Sequence, residues 1–227
     1  MKYAEPSIEA AVVALEQQGV TDVVALSMTP YRSQVSRDAY ELEAQEVITR
    51  HRSPLRLHPV PDWFGEPAYI EGLVARLEET LAVVPVQERQ AVPVVFTAHS
   101  LPLMMVAGGD PYVQQIESTI RAIETLRGPL NWRIGFQSRS LASREAWLEP
   151  VVESVLDQLR MQGDRRVVVW PLGFVSDHME TRYDNDILHQ QHAQRIGLQF
   201  HRVACLNDSP YLIAALADVL ERTVAGA

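Results

Sequence analysis

Short runs rich in β-branched and aromatic residues alternate along the chain with longer segments of helical period. Strands that are separated by helices usually pair in parallel, in a sheet that the helices cover. The alternation therefore predicts an α/β fold, with strands apolar enough for burial on both faces. The predicted strands are Asp22–Leu26, Leu55–His58, Val92–Ala98, Trp132–Phe136, Arg166–Leu172 and Leu198–Cys205.

Helices are predicted between these strands, several of them opened by a proline or by an acidic first turn. They are expected to begin near Pro6, Arg37, Glu66, Tyr112, Glu145, Asp177 and Tyr211. The first, Pro6 to Gln18, precedes any strand, whereas a doubly wound fold normally opens with one. We therefore expect a segment before this helix to be missing and its apolar face to lack a sheet partner.

Composition excludes several classes of protein. The formal net charge is -9 and the pI is about 5.3, and no cluster of basic residues is present to contact nucleic-acid phosphates. The apolar stretches are far shorter than the about 20 residues that span a bilayer, and the N-terminus lacks the pattern of a signal peptide. A single cysteine, Cys205, cannot form an internal disulfide, so a cytoplasmic protein without a transmembrane segment is expected.

A histidine follows the most apolar predicted strand. The segment Val94 to Pro102 ends that strand with Thr97, Ala98 and His99. In open parallel sheets the carboxyl ends of the strands face the ligand crevice, so His99 is a candidate for proton transfer or metal binding. The alternative is that His99 only forms a hydrogen bond that stabilises the following loop.

Acidic residues and a second histidine follow a later strand. Asp177, Glu180 and Asp184 are spaced so that one face of a helix can carry all three, and His178 lies among them. Carboxylates together with imidazole bind divalent first-row metals or move protons. The alternative is a solvated acidic face at a helix N-terminus, where the helix dipole favours negative charge.

These segments resemble the motifs of ferrochelatases, the enzymes that insert ferrous iron into a porphyrin. The matching segments, in chain order, are Asp62 to Pro67, His99 to Tyr112 including Gly109-Asp110-Pro111-Tyr112, Gln137-Ser138 followed by Trp147-Leu148-Glu149-Pro150, and Gly173 to Asp186. The resemblance covers nearly the whole chain and implies a role in heme biosynthesis.

The resemblance implies a chelatase-like α/β fold with two Rossmann-like lobes of parallel sheet, the first lobe being incomplete. On this basis residues 1–30 are expected to be the remnant of the first lobe and residues 31–200 the second lobe with the active-site motifs. Residues 201–227 are expected to form a C-terminal strand and helix that return to the first lobe. An exposed face of the first lobe would then allow self-association.

The resemblance also implies roles for individual residues. His99 and Glu180 match the histidine and glutamate that face the ring centre, and they are the predicted catalytic pair. The predicted metal contacts are His99, Glu180, Asp184 and His178, with Asp177 in an orienting role. Trp147 matches a tryptophan near the porphyrin, and Tyr31 and Arg32 fall in a loop that faces it, where Arg32 can pair with a propionate.

Iron(II) is the expected substrate metal, and a porphyrin, protoporphyrin IX or coproporphyrin III, is the expected partner. The lone Cys205 excludes the clustered C-terminal cysteines that carry an iron–sulfur cluster in some ferrochelatases, so no such cluster is expected. A family acid near position 188 is replaced by Leu188. Two alternatives remain: a non-catalytic tetrapyrrole- or iron-binding module, and a chelatase that loads cobalt or iron into sirohydrochlorin.

Overall fold

A computed structural model of the chain describes residues 5–140 and 145–226, and in it the strands form two parallel sheets. The first sheet has two strands, β1 (Asp22–Ala25) and β2 (Arg56–Pro59). The second has four strands in the order β4-β3-β5-β6. Its members are β3 (Val94–His99), β4 (Trp132–Gln137), β5 (Arg166–Trp170) and β6 (Gln199–Arg202). The structure thus confirms the α/β class and the existence of all the predicted strands.

Helices connect and cover these strands. Helices α1 to α9 span Ile8–Gln17, Arg37–His51, Pro67–Leu81, Leu103–Ala107, Tyr112–Arg127, Val152–Met161, Met179–Thr181, Gln190–Arg195 and Pro210–Ala225, and a π-helix spans Arg182–His189. The sequence did not predict the short helix α4. The helix expected near Glu145 begins only at Val152, because Pro150 disfavours helical geometry at Glu149 and Trp147 pairs instead with Pro102.

Burial differs between strands in a way that corrects the sequence prediction. Strand β3 is buried over nearly its whole length and β5 over most of it, as expected for the centre of a sheet. Strands β1, β2 and β6 are only partly buried. The prediction of burial on both faces was therefore wrong for these three, because β6 lies at a sheet edge and each strand of the small sheet has only one neighbour.

Helix α1 has a packing partner, contrary to the expectation of an unpartnered apolar face. Its Val12 is buried in a cluster with Val47 and Ile48 of α2, and Val23 of β1 and Leu57 of β2 pack against that cluster. The apolar face of α1 is therefore covered by α2 and the small sheet. This removes α1 from the surface predicted to self-associate, and the self-association itself stays a prediction.

Sheet pairing bears on the lobe limits. Strand β2 pairs with β1, so the small sheet lies within residues 22–59, and the lobe limits at residues 30 and 200 stay predictions. Strand β6 pairs with β5 in the larger sheet, while α9 packs against α3 and contacts β1.

Within residues 5–140 and 145–226, no helix combines the length and the apolar character that crossing a bilayer requires.

Candidate active site

Three chain segments leave the large sheet at one edge. His99 ends β3, Gln137 ends β4, and Gly173 follows β5. Ser100 donates its N–H to the carbonyl of Gln137 at 2.8 Å, and Gly173 donates to the carbonyl of Thr97 at 3.1 Å. Because the carboxyl ends of parallel strands meet at the same edge, residues far apart in sequence converge there.

The His99 ring has a defined tautomer. Its Nδ1 lies 2.6 Å from the carbonyl oxygen of Ser100, and because that oxygen can only accept a hydrogen bond, Nδ1 carries the proton. In the neutral ring Nε2 is therefore unprotonated. A side chain about two-fifths exposed (41%) presents this lone pair to solvent or to a ligand.

Glu180 lies opposite His99. Its Oε1 is 3.7 Å from His99 Nε2, too far for a hydrogen bond between them. Oε1 is buried and has no hydrogen-bond partner. A buried acceptor without a hydrogen-bond partner raises the free energy of the folded state. Such an atom is a candidate to bind a proton, a metal ion or a donor group of a substrate. Two metal–ligand bonds of about 2.0–2.2 Å easily bridge 3.7 Å, so one divalent ion can contact both atoms.

His178 helps to build the helix that carries Glu180. Its Nδ1 accepts the Glu180 N–H at 3.3 Å, and its own N–H donates to Thr181 Oγ1 at 2.9 Å. This reciprocal cap begins α7, and Phe174 packs edge-on against the His178 ring at 5.1 Å. Because Nδ1 accepts this hydrogen bond, the neutral ring carries its proton on Nε2, so neither ring nitrogen of His178 has a free lone pair while the cap is formed. The metal contact of His178 stays a prediction.

Asp184 is held by the end of β4. Its Oδ2 accepts hydrogen bonds from Gln137 Nε2 at 3.1 Å and from the Ser138 hydroxyl. Ser138 has a left-handed backbone with φ of 60°, unusual for a residue other than glycine, and this conformation accompanies the contact. The Gln137-Ser138 segment thus fixes Asp184 beside the site.

Asp177 is directed elsewhere. Its carboxylate accepts hydrogen bonds from Arg202 and from Asn207 Nδ2. The spacing had predicted that the three acids share one helical face, and the structure shows that they do not. The reason is that Asp177 precedes α7, and the chain after Thr181 winds as a π-helix, which breaks the period of 3.6 residues per turn.

Over residues 5–140 and 145–226, no three His, Cys, Asp or Glu side chains form a group that could hold a metal ion.

A buried polar network anchors the π-helix to the sheet. Asn185 accepts a hydrogen bond from Thr97 Oγ1 at 3.3 Å and donates to Gln137 Oε1 at 3.3 Å. His189 Nδ1 lies 3.3 Å from Asn185 Oδ1, and its Nε2 lies 3.8 Å from a carboxylate oxygen of Glu153. Burial lowers the pKa of His189. No sequence motif singled out His189, which is one of the most buried polar residues near the site.

Tyr31 lies below the site and not on its surface. The side chain is fully buried, its ring packs edge-on against Tyr112 at 6.2 Å, and burial raises the pKa of Tyr31 to about 12. Burial also raises the pKa of Tyr112, against a smaller, opposing effect of the His99 backbone. The structure therefore gives Tyr31 a supporting position behind His99, with no surface for stacking on a substrate.

Arg32 and Trp147 lie at more open positions. Arg32 follows β1, is exposed, and forms an ion pair with Asp38 at 2.8 Å. Trp147 lies alongside the segment that follows His99, where it forms an isolated bridge with Pro102. The indole Nε1 is buried without a partner. A cavity of about 590 Å³ is lined by Trp147, Leu103, Arg139 and neighbouring residues.

Large apolar side chains are exposed around the polar pair. Met179, next to Glu180, is 86% exposed, and Tyr183 is 52% exposed. Leu103 and Met104, shortly after His99, are exposed as well. Apolar surface gathered around two convergent polar groups is typical of a site for an apolar ligand with a polar centre.

Known proteins are similar to this chain over nearly its full length. The family model described as Ferrochelatase matches residues 1–224. A ferrochelatase of Geotalea uraniireducens (strain Rf4) is 35% identical over 225 residues, which are 99% of this chain and 69% of the relative. A coproporphyrin III ferrochelatase of Geobacillus sp. (strain WCH70) is 32% identical over 225 residues, which are 99% of this chain and 72% of the relative.

A solved structure shares the fold. SirB from Bacillus subtilis with Fe3+ aligns with a TM-score of 0.67 at 15% sequence identity, over 97% of this chain and 78% of SirB. This similarity confirms a chelatase-like fold. The family match, the identity to the relatives and the order of the motifs at the carboxyl edge of the large sheet together establish that the chain belongs to the ferrochelatase family.

Proposed function

We propose that this protein inserts Fe²⁺ into a porphyrin, coproporphyrin III or protoporphyrin IX, in heme biosynthesis. The observation that carries the proposal is the pair formed by His99 and Glu180, in which an unprotonated Nε2 faces an unpartnered Oε1 at 3.7 Å. Metal insertion requires two pyrrole N–H protons to leave the ring, and both atoms are free proton acceptors.

His99 suits the first proton transfer. Its Nδ1 proton is held by the Ser100 carbonyl, so Nε2 is the atom that accepts a pyrrole proton. The Glu180 carboxylate then stabilises the resulting imidazolium, because opposite charges attract strongly at a short distance in a partly buried site. Glu180 also accepts the second proton. Asp184, held by Gln137 and Ser138, adds a fixed negative charge that favours approach of a divalent cation.

The exposed apolar residues supply the binding surface. Met179 and Tyr183 flank Glu180, and Leu103 and Trp147 border the neighbouring cavity. A macrocycle with an apolar face can cover this surface while its centre lies over His99 and Glu180. Contacts made away from the reacting nitrogens then provide binding energy to bend the ring and expose the nitrogen lone pairs.

The test measures iron and zinc insertion into coproporphyrin III, protoporphyrin IX and sirohydrochlorin under anaerobic conditions. We expect insertion into one or both porphyrins and none into sirohydrochlorin. The double variant His99→Ala/Glu180→Gln is expected to lose insertion and keep porphyrin binding. A matched control, His51→Ala/Glu117→Gln, makes the same changes at residues paired with Glu9 and Arg121 outside the site and is expected to remain active. Porphyrin binding by the wild type without insertion would contradict the proposal and favour the binding module.

A further inference from the structure

Arg202, the last residue of β6, contacts two carboxylates that flank Glu180 in sequence. Its terminal guanidinium nitrogen donates a hydrogen bond to Asp177 Oδ1, and its Nε lies 2.9 Å from Asp186 Oδ1 in an ion pair that lacks the alignment of a hydrogen bond. Asp177 precedes α7, whereas Asp186 lies on the π-helix that follows it. One guanidinium therefore ties together both ends of the segment that carries Glu180.

Asn207 also holds the end of this segment that contains Asp177. Its N–H donates to the carbonyl of Val175 at 2.8 Å, its Oδ1 accepts the Asp177 N–H at 2.8 Å, and its Nδ2 donates to Asp177 Oδ2 at 3.0 Å. Asn207 has a left-handed backbone with φ of 54°, which asparagine tolerates better than most residues. Both Arg202 and Asn207 thus hold the carboxylate of Asp177.

Glu180 lies between the two ends that Arg202 contacts. Helix α7 begins at the reciprocal cap of His178 and Thr181 and continues at Arg182 into the π-helix, which the buried polar network anchors to the sheet. The oxygen Oε1 of Glu180 forms no hydrogen bond that would orient the side chain. The position of Glu180 opposite His99 is therefore set by the backbone on either side of it, and Arg202 contacts a carboxylate on each side.

We propose that Arg202 is a positioning residue, which places Glu180 opposite His99 by bridging Asp177 and Asp186. This inference rests on the proposed function and names how its catalytic carboxylate is held. Arginine suits the role because its rigid, branched guanidinium binds two carboxylates at once, whereas lysine offers a single ammonium. Because Arg202 acts on the segment that carries Glu180, we expect its effect on insertion to pass through Glu180.

The test is a double-mutant cycle between Arg202→Met and Glu180→Gln, with zinc insertion as the readout. We expect Arg202→Met to lower kcat by about 10- to 100-fold, the scale of a misplaced catalytic group, with little change in KM for the porphyrin. In the Glu180→Gln background the same change should have almost no further effect, because the group that Arg202 positions has already lost its function. Arg166→Met, which breaks a comparable ion pair with Glu88 away from the site, is the matched control and should leave kcat unchanged.

Asp186→Asn serves as a milder variant in case Arg202→Met does not fold, because it removes one contact at a partly exposed carboxylate. It should lower kcat less than Arg202→Met, again only when Glu180 is present. The inference is overturned if folded Arg202→Met or Asp186→Asn is as fast as the wild type while Glu180→Gln is slow. It is also overturned if the loss has the same size in the Glu180→Gln background, which would indicate a general effect on the fold. Wild-type activity of Glu180→Gln would instead refute the catalytic role of Glu180 in the proposed function.

Discussion

At the scale of single residues, the chemistry depends on which atoms lack a partner. His99 Nδ1 is occupied by the Ser100 carbonyl, which leaves Nε2 free, and Glu180 Oε1 is buried without a partner. Asp184, in contrast, already accepts two hydrogen bonds from the end of β4. The carboxylates near the site therefore differ in their freedom to take a proton.

This difference predicts an order of effects. Glu180→Gln should lower the rate of metal insertion by about 10² to 10⁴, the usual cost of losing a proton-transfer group. Asp184→Asn should cost less, because an amide keeps part of the contact with Gln137 and Ser138 and the residue takes no proton in the reaction. Rates with zinc and coproporphyrin III at saturating porphyrin provide the comparison. Equal and small losses in both variants would favour the alternative of a solvated acidic face.

The sequence predicted part of this site because strand ends can be read from hydrophobic runs. His99 was found at the end of an apolar strand, and Glu180 was found by its motif. Tyr31 was predicted to face the ligand, but it packs under Tyr112, since its sequence position after β1 does not reveal which way the loop turns. Arg202 lay inside the predicted strand Leu198–Cys205 and belonged to no motif, and its partners come from a different part of the chain.

At the scale of secondary structure elements, the π-helix is the unusual feature. Sequence spacing predicted an α-helix from Asp177, because the pattern of acidic residues does not distinguish a period of 3.6 from a wider turn. The wider turn directs Asn185 and His189 toward the sheet, where they join Thr97 and Gln137. The element that carries Asp184 is thus anchored by a buried polar network.

This network predicts a pH dependence of stability. Burial lowers the pKa of His189, and His192 lowers it slightly further. Glu153 and Asp184 raise the pKa, but the net shift is downward. A histidine whose folded-state pKa lies below its unfolded value of about 6.5 binds protons more readily in the unfolded chain. Its contribution to stability is therefore complete above that pH and is lost as the pH falls toward the folded-state pKa.

We expect the free energy of unfolding to decrease as the pH is lowered from about 7 to about 5, with His189 contributing at most about 1.4 kcal/mol per pH unit. His189→Gln should flatten this decrease. Urea unfolding at several pH values measures the effect, and the difference between variant and wild type near pH 8 serves as the internal control for lost hydrogen bonds. Parallel pH profiles for the two proteins would show that His189 titrates alike in the folded and unfolded states.

At the scale of the whole molecule, polar contacts join the loop after β1 to the elements of the large sheet. Asp110, buried before α5, accepts hydrogen bonds from Ser33 Oγ at 3.0 Å, the Gln34 N–H at 2.8 Å and the Tyr112 N–H at 3.1 Å. Gln115 of α5 accepts the Arg32 N–H at 2.7 Å. These contacts fix the loop that carries Tyr31 and Arg32 relative to the segment that carries His99.

Asp110→Asn should therefore destabilise the protein. The amide replaces one accepting oxygen by a donor, so at least one buried N–H or O–H loses its partner, at a cost of about 1–3 kcal/mol. Ser33→Ala removes only one of the three contacts and is expected to cost less. Chemical unfolding measures both, and hydrogen exchange at Gln34 reports the loop directly. A fully stable Asp110→Asn with unchanged exchange would contradict this role.

The overall architecture was largely predictable, because hydrophobic runs and turn residues identify strands and helices locally. Pairing between distant strands was harder to predict. The association of β2 with β1 depends on contacts that no local sequence pattern encodes. The same holds for α1, whose apolar face was expected to lack a partner but packs with Val47 and Ile48 of α2.

The most direct test of the account compares porphyrin binding and metal insertion in His99→Ala. His99 ends a strand and its ring is partly exposed, so the variant should fold and should bind coproporphyrin III about as tightly as the wild type, as measured by fluorescence quenching. Insertion of iron or zinc should fall by about 10² to 10⁴, because Nε2 is the first proton acceptor. Insertion by His99→Ala at the wild-type rate, with binding intact, would contradict the assignment of His99 and Glu180 as the catalytic pair.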